Sequence, residues 1–93
     1  MDADADAVLR CRPAGQDRAA LRDAFARCTH ERTQGEARLA ALLEQRRRIV
    51  LTGSPADLVD SIVAIQGARD TSELLDVAFA ALVERDHQIA AGA

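Results

Sequence analysis

The chain has 93 residues. Alanine makes up much of its 48 % apolar share, Phe25 and Phe79 are its two aromatic residues, and its net charge is −3. A short chain with small apolar side chains builds a thin core by itself, which disfavours a deep catalytic pocket and favours a core completed against another chain. A pI of about 5.2 excludes a generally basic nucleic-acid binder.

The charge is divided along the chain. Residues 18–48 hold eight Arg against four acids, giving +4, and residues 49–93 hold two Arg against seven acids, giving −5. All twelve basic residues are arginine, a coding bias that together with the alanine points to a high-GC bacterial genome. Cys11 and Cys28 lie too far apart for a metal knuckle or a redox C-x-x-C. A reduced thiol and a small core residue are expected instead. The N-terminus opens on acids rather than a basic n-region. Its longest apolar run, Val77–Val83, is far short of a membrane span. The expected location is the cytoplasm, with no membrane partner.

Residues 1–17 alternate Asp with Ala and then reach Pro13 and Gly15, which reads as a flexible leader. Residues 18–93 are expected to form one small helical domain. Asp17 suits an N-cap. From there Leu21, Phe25, Cys28, Arg32, Gly35, Leu39, Leu42, Arg46 and Ile49 alternate steps of four and three. That spacing predicts one long amphipathic helix over residues 18–48. Gly35 and the weak capping box Thr33-Gln34-Gly35-Glu36 offer a break, but the unbroken phase favours continuity.

Thr52-Gly53-Ser54-Pro55 is the clearest turn. Ser54 suits an N-cap and Pro55 the first helical position. A helix from Pro55 to Gln66 would bury Leu58, Ile62 and Ile65 and end at Gly67. Asp70-Thr71-Ser72-Glu73 would open another, with Leu74, Leu75, Ala78, Phe79, Leu82 and Val83 on one side. Between these units, Arg46-Arg47-Arg48-Ile49-Val50-Leu51-Thr52 reads equally as a helix end or as a short strand.

Signs of an active site are sparse. His30-Glu31 and Asp86-His87 are isolated pairs without an i, i+3 or i+4 metal-binding companion. No phosphate-cradling glycine motif occurs, and Ser54, Ser61 and Ser72 lack a local histidine. Asp57 and Asp60 face solvent on a helix that buries Leu58 and Ile62. A helical chain of this size suits a chorismate mutase, but that site needs a lysine, and there is none. The expectation is a non-enzymatic protein with no cofactor and no metal.

Residues 57–85 resemble the paired helices of ribbon-helix-helix antitoxins of the VapB kind. The likeness rests on Asp57-Leu58-Val59, Gly67-Ala68-Arg69, Thr71-Ser72-Glu73, Leu74-Leu75-Asp76, Ala78-Phe79 and Leu82-Val83-Glu84-Arg85. It runs without a gap for about a third of the chain. The resemblance implies a dimer whose strands, near residues 47–52, pair into a ribbon in the major groove of operator DNA. Arg46 and Arg48 would then reach the bases or phosphates. Thr71 and Ser72 would offer a helix N-terminus to a phosphate. The partner implied is a PIN-domain ribonuclease toxin.

If residues 46–51 stay helical, the fold is instead a helical hairpin turning at residues 53–55. Its positive first arm would lie against its negative second. That layout is similar to small hairpin subunits and chaperones of type III secretion, and it reads as an adaptor that donates helices to a larger assembly. The expected fold class is thus mainly α: a long N-terminal helix followed by a two-helix unit, either bundle-like or ribbon-helix-helix. In both readings Leu21, Phe25, Leu39, Leu42, Leu58, Ile62, Leu75, Phe79 and Leu82 are the candidate contacts with a partner or second copy.

Overall fold

The computed structural model describes residues 3–92. It holds three helices: α1 (Ala3–Leu9), α2 (Arg18–Thr52) and α3 (Pro55–Gly92). α2 and α3 form an antiparallel hairpin, and α1 packs beside it, mainly on α3. The molecule is a rod of 59 × 23 × 15 Å with a radius of gyration of 16.9 Å. A compact chain of this length would have about 12 Å.

α2 begins where the sequence places its cap: the Asp17 carboxylate accepts a hydrogen bond from the Ala20 amide at 2.8 Å. It runs unbroken through Gly35, where an added Cβ would meet the Leu75 side chain at an ordinary 3.9 Å. Arg32, which interrupts the apolar seam in the sequence, closes the gap by its length. Its guanidinium lies 4.5 Å over the Phe79 ring and pairs with Asp76 at 3.1 Å.

The expected ribbon strand at residues 47–52 is absent, because α2 continues to Thr52. The Thr52 hydroxyl donates to the Arg48 carbonyl at 2.9 Å, and the Gly53 amide donates to the Ile49 carbonyl at 2.8 Å. Those bonds engage the Arg48 and Ile49 carbonyls in a helix end rather than in pairing between strands. The hairpin form of the expected fold is therefore the one present, without a strand among the described residues. Gly53 fits its turn by lack of a side chain, since a Cβ there would stand 2.8 Å from the Ile49 carbonyl oxygen. A reciprocal box opens α3: Asp57 accepts from the Ser54 amide at 3.1 Å, and the Ser54 hydroxyl accepts from the Asp57 amide at 3.2 Å.

α3 corrects a second expectation. It passes straight through Gly67 and Asp70–Glu73 as one helix of 38 residues. Ser61, Ile65, Ala68, Thr71, Leu75 and Leu82 are all buried on one stripe of it. Packing of that stripe on α2 outweighs the cost of about 1 kcal/mol for a glycine inside a helix. The Thr71 hydroxyl returns to the Gly67 carbonyl at 2.9 Å, so the polar group is satisfied within the helix. Leu74, expected beside Leu75, lies on the opposite, exposed side.

The core sits at the end of the rod away from the turn. Cys11, Leu21, Ala24, Cys28, Leu75 and Leu82 form it, with Val8, Phe25, Ala78, Phe79 and Ile89 packed around them. Phe25 and Phe79 meet edge to face at 5.5 Å. The segment read as a leader thus supplies a helix and a core residue; its residues 1 and 2, like residue 93, lie outside those described.

Candidate functional site

The segment after α1 is fastened to α2 by side chains the sequence did not mark. Arg10 meets Glu31 with two hydrogen bonds, at 2.7 and 3.1 Å. Arg27 reaches up from α2 and donates to the carbonyls of Arg10 at 2.7 Å and Arg12 at 3.0 Å. Hydrogen bonding to Arg10 holds the Glu31 carboxyl below its ordinary value of 4.5. Burial, then a hydrogen bond with the neighbouring Cys28 thiol, pushes Cys11 up to about 12. Both cysteines are free and buried. A protonated, enclosed thiol is a packing group and a poor nucleophile. No cluster of metal-binding side chains occurs among the described residues.

The residues expected at an interface separate into two groups. Leu21, Leu75 and Leu82 are enclosed in the chain's own core and are unavailable to a partner. Phe25, Phe79, Leu39 and Leu42 are half-buried along the α2–α3 seam. Leu58 and Ile62 remain exposed, Ile62 at 62 %. Arg46 and Arg48 stand exposed on the last turns of α2. Thr71 is buried and Ser72 half-buried in the middle of α3. The helix N-terminus expected there is absent, because amides in a helix interior bond the preceding turn.

The exposed apolar surface lies mainly on α3. Val59, Ile62, Val63, Leu74 and Val77 are each more than half exposed. At 3.6 residues per turn they fall on one face, opposite the stripe formed by Ser61, Ile65, Ala68, Leu75 and Leu82. Gln66 and Asp70 occupy the middle of this outer face. Val50 and Leu51 add apolar surface at the turn. Between α2 and α3, Arg46, Ile62, Ile65, Gln66, Arg69 and Asp70 line an open groove of about 340 Å³.

Sequence reasoning missed Val59, Val63, Leu74 and Val77 because it sought a single apolar stripe on each helix. The signal was present: once residues 55–92 are one helix, the apolar residues fall on two opposite faces. No described helix is long and apolar enough to cross a membrane, so the outer face is not accounted for as a span. Comparison with family models, with characterised proteins and with solved structures returned no match.

Proposed function

We propose that the chain is a non-enzymatic interaction module, a helical hairpin that presents the outer face of α3 to another helical chain. The observation that carries this reading is the row Val59, Ile62, Val63, Leu74 and Val77, which no described segment of the chain covers. An exposed apolar row of this length costs solubility unless it has an occupant. An amphipathic helix laid along it, gripping at i, i+3, i+4 and i+7, is the matching mode of recognition. Adaptors, chaperones and subunits of larger assemblies, including those of secretion systems, work in this way. So does the toxin-gripping half of an antitoxin, which needs a helix face and no DNA-reading ribbon.

A photo-crosslinking amino acid at Ile62, compared with one at exposed Ala40 on α2, tests the proposal in producing cells. Crosslinks to a protein chain are expected from position 62 and not from position 40. Absence of any crosslink from position 62 overturns the reading.

A further inference from the structure

We infer that the occupant of the outer face of α3 is the same face of a second copy, packed antiparallel about a two-fold axis that passes between Gln66 and Asp70, level with residue 68. The inference rests on the interaction-module reading and names its partner.

The face is its own complement. In an antiparallel pair centred on residue 68, each residue lies level with the one whose number makes up the same sum. Val59 then meets Val77 of the second copy, and Ile62 meets Leu74 of the second copy. Gln66 comes level with Asp70 of the second copy, where its amide can donate to the carboxylate. By symmetry each of these contacts forms twice, as an isologous interface requires. Gln66 and Asp70 thus meet at the middle, Val59, Ile62, Leu74 and Val77 meet towards both ends, and Val63 comes level with the exposed Glu73.

Charge chooses the direction. A parallel pair in register would set Asp70 against Asp70 and Glu73 against Glu73. The antiparallel pair separates the like acids and brings Arg69, beside Gln66, within an arginine's reach of Asp70 of the second copy. Off α3, the large apolar side chains left exposed among the described residues are Leu9, Val50 and Leu51. None of these forms a row that could serve as the other half. The row from Val59 to Val77 is about 27 Å long at 1.5 Å per residue, several helical turns of continuous contact.

Mass and crosslinking together test the inference on the full chain. Light scattering of the purified protein is expected to give twice the 10.0 kDa of the single chain. Val77→Glu, at a position already 65 % exposed, is expected to keep its helical circular dichroism and to weaken self-association at least tenfold. For direction, Val59→Cys chains are mixed with Val77→Cys chains under mild oxidation. The mixture is expected to form a crosslinked dimer far faster than either variant alone. Within one chain the two positions are about 27 Å apart, so only a neighbour can close that bond. A wild-type mass of 10.0 kDa throughout a dilution series, a dimer indifferent to Val77→Glu, or preferred Val59→Cys self-crosslinking each overturns the inference. A monomer whose Ile62 crosslinks to a different protein would overturn the self-pairing and leave the interaction-module reading standing.

Discussion

Glu31 is the residue on which the attachment of the N-terminal segment turns. Its carboxyl is only 14 % exposed and holds Arg10 at 2.7 Å. The folded protein lowers its pKa, so it stabilises the fold fully above the ordinary 4.5. That contribution is lost as the pH falls through the lowered value. Acid titration is therefore expected to loosen the Arg10–Glu31 contact below pH 4.5, read as chemical-shift changes at residues 3–12. Glu31→Gln is expected to remove that pH dependence while the hairpin stays helical; an unchanged titration in the variant would contradict the assignment. None of this was legible in the sequence, where His30-Glu31 reads as an isolated surface pair. The partner lies 21 residues away, and only the packing of the segment after α1 against α2 brings the two together.

Among the elements, two glycines of the hairpin, Gly35 and Gly53, carry opposite expectations. A methyl group at Gly35 finds ordinary contact with Leu75, so Gly35→Ala is expected to stabilise by about 0.5–1 kcal/mol through helix propensity. A methyl group at Gly53 would stand 2.8 Å from the Ile49 carbonyl oxygen. Gly53→Ala is therefore expected to cost about 1–3 kcal/mol. Denaturant melts of both variants check the signs, and a gain at Gly53 would contradict the turn geometry.

The turn, the Asp17 cap and the Ser54-Pro55 start were legible because each is a local pattern with a local cause. Gly67 was misleading for the same reason. It carries a true stop signal, but the buried stripe from Ser61 to Leu82 keeps its phase across it, and tertiary packing decides. Residues 46–52 were balanced between helix and strand by composition, and the bonds to Arg48 and Ile49 resolve them as helix.

For the whole molecule, stability is unevenly distributed. The enclosed cluster of Cys11, Leu21, Ala24, Cys28, Leu75 and Leu82 lies at one end. The tip carries exposed Val50, Leu51, Val59, Ile62 and Val63. Local opening follows local packing. Amide exchange in dilute protein is expected to be slow at residues 24–28 and 71–82 and several-fold faster at residues 46–63. Uniform protection along both arms would contradict this gradient. The thin core anticipated from composition is thus placed at one end, and the shortage of burial falls on the outer face of α3.

The placement of that core has a consequence for how the chain reaches its fold. Polar contacts between α2 and α3 at the core end join residues far apart in sequence: Arg32 with Asp76 at a separation of 44, and Cys28 with Leu75 at 47. The turn brings its immediate neighbours together at small entropic cost, but those neighbours are weakly packed. Closure of a long loop must therefore precede the contacts that reward it. A hairpin that zips outward from its turn would have little to hold it at the early steps. The rate-limiting event is expected to be collision of the two distant arm ends, so substitutions near Leu21 and Leu82 should slow folding more than substitutions beside Gly53.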